Sequence, residues 1–82
     1  MFKKFFQNRI QKDMAKLEAA RKKCVPIMRS KGLSENEISR VESVSYKKAA
    51  SGYVDNPNIQ TALSIYFESL TSEAHKFGYD IS

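Results

Sequence analysis

Residues 56–78 read Asn56-Pro57-Asn58-Ile59-Gln60-Thr61-Ala62-Leu63-Ser64-Ile65-Tyr66-Phe67-Glu68-Ser69-Leu70-Thr71-Ser72-Glu73-Ala74-His75-Lys76-Phe77-Gly78. Ile59, Ala62, Leu63, Tyr66, Phe67, Leu70, Ala74 and Phe77 recur at spacings of three and four. At 100° per residue they fall within roughly a 140° arc of a helical wheel, with Ile65 outside it. Asn56-Pro57 reads as an N-cap followed by proline at the first helical position. The pattern predicts a helix over about 57–76, stopped by Gly78. This is the strongest amphipathic stripe in the chain, and it sets the fold class for the rest.

Upstream, Ser34-Glu35-Asn36-Glu37 is a capping box: the Ser34 hydroxyl accepts from the Glu37 N–H while the Glu37 carboxylate reaches back. A helix over about 35–51 follows, ended by Gly52. Its apolar face is thin: Ile38, Val41 and Ala49, with Val44 and Tyr46 at the edges and Glu42 close by. The first segment repeats Phe2, Phe6, Ile10, Met14, Leu17, Cys24 and Met28 at helical spacing, with Arg21 in one gap. It predicts a helix over about 3–24. Pro26 either breaks it, leaving a short extra turn at 26–31, or kinks it and lets it run to Lys31. Gly32 supplies the stop. No segment alternates with period two, so no sheet is expected. Short connections between three helices predict an all-α compact three-helix bundle forming one domain over 1–82. The thin second helix implies that the first and third supply most of the core.

Eighty-two residues build one modest core with little stability to spare. The single cysteine, Cys24, excludes an intramolecular disulfide and any cysteine-cluster metal site. It lies on the apolar stripe and reads as an inert thiol. The basic start Met1-Phe2-Lys3-Lys4 lacks the apolar run of a signal peptide, because Gln7, Asn8 and Arg9 interrupt it. No stretch approaches the roughly 18–20 apolar residues of a membrane span. A soluble, cytoplasmic protein is the expectation.

The net charge of +5 is unevenly placed. Residues 1–31 hold ten Lys and Arg against Asp13 and Glu18, a surplus of +8. Residues 32–82 hold four Lys and Arg against seven carboxylates, a deficit of −3. On the first helix Arg9, Lys12, Lys16 and Lys23 cluster on one flank, while Lys4, Lys22 and Arg29 lie on the other. Such faces suit a phosphate backbone, where each contact releases a counterion and makes binding salt-dependent. Nucleic acid, a nucleoprotein complex or an acidic protein surface are the partners these seven residues imply. A solvated face that keeps a small protein soluble is the plainer reading of the same charges. Phe2, Phe5 and Phe6 beside Lys3 and Lys4 also suit an anionic membrane surface. The remaining helix carries Ala and Met rather than a broad Leu/Trp face, so membrane binding is not expected.

Residues 33–45, Leu33-Ser34-Glu35-Asn36-Glu37-Ile38-Ser39-Arg40-Val41-Glu42-Ser43-Val44-Ser45, resemble the opening of DNA-binding helix-turn-helix units. The resemblance implies a turn near Ser43 and a recognition helix beginning at Tyr46, Lys47 and Lys48. The sequence departs at Ser43, where the turn glycine belongs. It departs again at Glu42 and Gly52, where apolar residues belong. One uninterrupted capped helix is the alternative these departures favour.

Catalytic chemistry is not expected. His75 is the one histidine, and Glu68, Glu73 and Asp80 near it match no metal spacing. There is no glycine-rich phosphate loop. The expectation is a non-enzymatic regulatory or accessory protein without cofactor, metal or small-molecule substrate. It binds nucleic acid through its basic first helix, or acts as a protein-binding adaptor or inhibitor of the mobile-element type through that helix or an apolar stripe. A long first helix with an apolar seam that a short second helix cannot cover also suggests a homodimer.

Overall fold

A computed structural model describes the backbone from Phe2 to Ser82 and the side chains from Asn8 onward. Three helices, α1 (Phe2–Ser30), α2 (Glu35–Asp55) and α3 (Ile59–Lys76), pack as an all-α bundle, with no strand among the described residues.

The first helix passes through Pro26 without ending. Of the two outcomes the sequence left open, the continuous helix is the one observed, and the break after Cys24 with a separate turn at 26–31 is not. Pro26 is exposed, almost diametrically opposite the buried line of Leu17 and Met28 on the wheel. The carbonyl of exposed Lys22, which loses its helical donor at Pro26, therefore faces water rather than protein. The helix closes on Gly32, at φ +104°. The Gly32 N–H donates to the Arg29 carbonyl and the Leu33 N–H to the Met28 carbonyl. Met28 and Leu33, the apolar pair expected around such a closure, are both buried.

The capping box at Ser34 is formed in full. The following helix does not stop at Gly52; it continues to Asp55, and Asn56 caps its C-terminus. No turn interrupts residues 35–55, so the helix-turn-helix arrangement is absent and the single-helix alternative holds. Asn58, not Asn56, is the N-cap of α3, and its side chain accepts from the Gln60 and Thr61 N–H groups.

Gly52 has a different role from the expected one. A Cβ at this position would sit 2.5 Å from Cδ1 of Ile65 on α3. Ser45, fully buried on α2, donates to the Val41 carbonyl at 2.7 Å and lies 2.9 Å from the Ser69 hydroxyl of α3. Ala49 and Ala62 are also fully buried. Small residues thus let α2 and α3 approach closely, and these two helices form the most intimate pair in the bundle. This corrects the expectation that α1 and α3 carry the core. Ile38, Val41, Ala49 and Tyr53 are buried contributions of α2, whereas α1 gives Leu17 and Met28. A short side chain counts little in a hydropathy pattern but much in a close helix contact, because it sets how near the backbones come.

Two outcomes follow for stability. Replacing Pro26 by Ala should raise the unfolding free energy by about 1–2 kcal/mol, the helix-interior gain of alanine less the stiffness proline gives the unfolded chain; urea unfolding followed by helical circular dichroism measures it. Gly52→Ala should be near neutral alone, since helix propensity is offset by the Ile65 methyl. In an Ile65→Val background, which removes that methyl, the same change should gain about 1 kcal/mol.

Candidate nucleic-acid interface

Which charges on α1 remain free is decided by where its neighbours lie. Arg9 sits level with the connection between α2 and α3: its Nη2 donates to the Pro57 carbonyl at 3.2 Å. Four residues on, the Asp13 carboxylate is buried and accepts from the Tyr53 hydroxyl at 2.5 Å. That hydrogen bond, with burial added, raises the Tyr53 phenol above its ordinary value. Two turns further along α1, Arg21 turns towards α2, with Nε 2.9 Å from Glu42 Oε1, Nη1 3.6 Å from Glu18, and its guanidinium carbon 5.9 Å from the Tyr46 ring centre. The Arg21–Glu42 approach is close but off the N–H direction, so it acts as a charge contact and leaves Glu42 Oε1 without an aligned donor. These contacts fix the rotation of α1 about its own axis.

With that rotation fixed, Arg9, Lys12, Lys16 and Lys23 are all exposed along one flank. They cover an arc of about 60° at 100° per residue and a length of about 21 Å at 1.5 Å per residue. Among the described residues, no ion pair involves Lys12, Lys16 or Lys23. Asn8, Arg9, Lys12, Asp13 and Lys16 border one shallow groove of about 350 Å³.

The remaining expected site residues do not join this flank. Lys22 is exposed on the opposite side of α1. Arg29, on that side too, forks onto Glu35 with Nε 2.6 Å and Nη2 3.2 Å from the two carboxylate oxygens. Its charge is largely spent within the molecule. Lys4 lies in the helical backbone of α1, with its side chain outside the described residues. Four of the seven candidates therefore share one surface.

Other groups considered from sequence take minor places. Cys24 is half-buried, and burial pushes its thiol up, against a smaller pull from Lys23. His75 is exposed and borders an open groove with Phe67, Thr71, Tyr79 and Asp80. No group of three or more metal-ligating side chains occurs among the described residues.

Sequence reasoning missed two features. One is the Asp13–Tyr53 pair, whose residues lie 40 apart and of which Tyr53 fell beyond the expected end of α2. The other is an apolar cavity of about 460 Å³ between Ile10 and Met14 of α1 and Ala50, Tyr53 and Val54 of α2, closed by Pro57 and bordered by Arg9. Its rim is exposed: Ile10 is 45% and Val54 81% accessible. Continuing α2 to Asp55 is what builds its second wall, and Val54 off the main stripe was the available signal.

Comparison with protein-family models, curated protein sequences and solved structures returned no match.

The carboxylates make a pH prediction with a definite sign. Glu35 beside Arg29, Glu37 bonded to the Ser34 N–H, Glu73 beside Lys76 and Lys48, and Asp80 bonded to Ser82 are all held below their ordinary values. Their contribution is present above the ordinary values and is lost as pH falls through the folded ones. Burial pushes Glu42 the other way, above its ordinary 4.5, against the pull of Arg21. Its protonation therefore favours the folded state, and its contribution weakens as pH rises through the folded value. Stability should fall on acidification below about pH 4.5, where the lowered carboxylates protonate; just above that value acidification should stabilise the wild type but not Glu42→Gln, which lacks the opposing group. Urea midpoints between pH 3 and 6 measure both slopes.

Proposed function

We propose that this is a small non-enzymatic accessory or regulatory protein of the cytoplasm that binds nucleic acid through the outer flank of α1. The observation that carries the reading is the row Arg9, Lys12, Lys16 and Lys23. Four exposed cations lie on one side of one helix, none of them in an ion pair among the described residues. Helical spacing presents them at intervals of roughly 5–10 Å along a straight line. A phosphate backbone offers repeating negative charge along such a line, and neutralising it releases condensed counterions. Among the described residues the flank offers Lys and Arg without an interleaved aromatic, so the reading is backbone contact rather than base recognition. The mildly acidic remainder, with its −3 over residues 32–82, keeps the phosphate contact to this one side.

A second reading, a protein-binding adaptor or inhibitor, is favoured by a separate observation: the apolar cavity between α1 and α2. The two surfaces share only Arg9 at their border, and substitution of the flank lysines separates the readings.

Duplex DNA or RNA titrated by mobility shift should bind at low salt. Four phosphate contacts give a slope of log K against log salt of about −3.6 for B-DNA and about −2.8 for a single strand. Replacing Lys12, Lys16 and Lys23 by Glu should remove most of that slope, and Arg29→Ala should leave it nearly unchanged. Affinity weaker than about millimolar at low salt for every nucleic acid tried rejects the reading, since non-specific binders reach roughly 10⁻⁴–10⁻⁶ M even at physiological salt.

A further inference from the structure

The cavity between α1 and α2 lies at the end of the bundle where α1 runs on. Arg9 marks the level of the α2–α3 connection, and α1 begins seven residues earlier, at Phe2. At 1.5 Å per residue the helix projects about 10 Å past that level. The sequence of this projection is Phe2-Lys3-Lys4-Phe5-Phe6-Gln7-Asn8: three aromatic residues and two cations in two turns. One end of the molecule thus holds both an apolar cavity with an exposed rim and a basic, aromatic helical segment. Ile10 and Met14 of α1 form the cavity wall, so the helical backbone of Phe2–Phe5 runs on from the cavity rather than back into it.

We propose that the cavity receives the N-terminal turns, Phe2–Phe6, of a second copy, and that two copies exchange this contact about a two-fold axis. The inference rests on the protein-interaction reading and deepens it by naming the partner, and it uses none of the flank lysines Lys12, Lys16 and Lys23. Charge complementarity selects this occupant. The α2 wall of the cavity ends at Asp55 and at the carbonyls of the α2 C-terminus, and no basic residue lies in that last turn. The incoming helix starts with Lys3 and Lys4 and has no acidic residue in its first turn. A positive helix start thus meets a negative helix end. Arg9, the one cation among the described lining residues, directs Nη2 to the Pro57 carbonyl.

The aromatic area the sequence offers overlaps the range of a stable interface. Six phenylalanines, three from each copy, bury about 150–250 Å² apiece, or roughly 900–1,500 Å² before the cavity walls are counted. Stable interfaces bury about 1,200–2,000 Å² in total. An exchange of identical contacts also closes on itself, which limits the assembly to two copies.

Sedimentation of the full chain over a concentration series should show the mass double. Phe2→Ser/Phe5→Ser/Phe6→Ser removes the inserted segment, and Ala50→Trp fills the cavity from α2. Each should weaken self-association at least 100-fold while keeping the helical circular dichroism of the wild type. Mixing the two variants should yield a heterodimer held by one of the two contacts, weaker than the wild-type pair but tighter than either variant alone, because one retains the cavity and the other the segment. Lys12→Glu/Lys16→Glu/Lys23→Glu should leave the doubled mass intact, so loss of nucleic-acid binding and loss of pairing are told apart. A chain monomeric at all concentrations overturns the proposal, as does a dimer that survives both variants. Binding of the monomer to phosphatidylserine vesicles through the same phenylalanines also overturns it, in favour of a lipid surface.

Discussion

The close approach of α2 to α3 is the constraint on which the rest of the molecule depends. Ser45 and Ser69 meet hydroxyl to hydroxyl, Ala49 and Ala62 are fully buried, and Ile65 occupies the space that a side chain at Gly52 would need. None of these side chains contributes much hydrophobic area. Their effect is to bring two backbones near enough for the larger residues alongside, Val41, Tyr66 and Leu70, to leave the solvent together. A bundle of this length has few large apolar groups to spend, and small residues at the closest contact use them well.

The helical pair forms a bed for α1, which touches it along a narrow line centred on Leu17 and Met28. Because the line is narrow, most of α1 remains in water and can carry the charge surplus of residues 1–31 without burying it. Polar contacts supply what a narrow apolar line lacks, which is rotational register. Asp13 on Tyr53, Arg21 against Glu42, and Arg9 on the Pro57 carbonyl hold α1 at three heights. Turned by one residue, about 100°, the row Arg9, Lys12, Lys16 and Lys23 would point elsewhere. Some of this polar structure carries a cost. The Tyr66 hydroxyl is buried without a hydrogen-bond partner, and burial, aided by the nearby Glu42, drives its phenol strongly upward. The ring fills the centre of the core, so packing gain outweighs the stranded hydroxyl.

Much of the fold was legible along the chain. The stripe of α3, the capping box at Ser34 and the glycine stops at Gly32 and Gly78 are local devices, set by side-chain periodicity and backbone conformation within a few residues. The misread end at Gly52 and the undecided outcome at Pro26 share a physical origin. Local rules make Gly52 a helix end and Pro26 a break or a kink, yet neither ends a helix. Pro26 is tolerated because it faces water, and Gly52 is used because α3 lies against it. Asn56 and Asn58 are equally good caps in isolation. The C-terminal extension of α2 takes Asn56 and leaves Asn58 to begin α3. The same extension built the second wall of the apolar cavity, so missing the one meant missing the other.

The sequence by itself determined the helical class, the number of helices and the concentration of positive charge on the first of them, because periodicity and composition are properties of the chain. Only the tertiary structure decided which of those charges stay free. Arg29 and Lys23 are indistinguishable as basic residues on one helix. The first lies within reach of Glu35 and forks onto it, whereas among the described residues no acidic side chain comes within ion-pairing distance of the second. That distinction rests on the rotation of α1 against a partner pair, and so on contacts between residues as much as 48 positions apart. Coulomb attraction falls off over a few ångströms in water-exposed surroundings, and distance in space is a quantity that the order of residues does not contain.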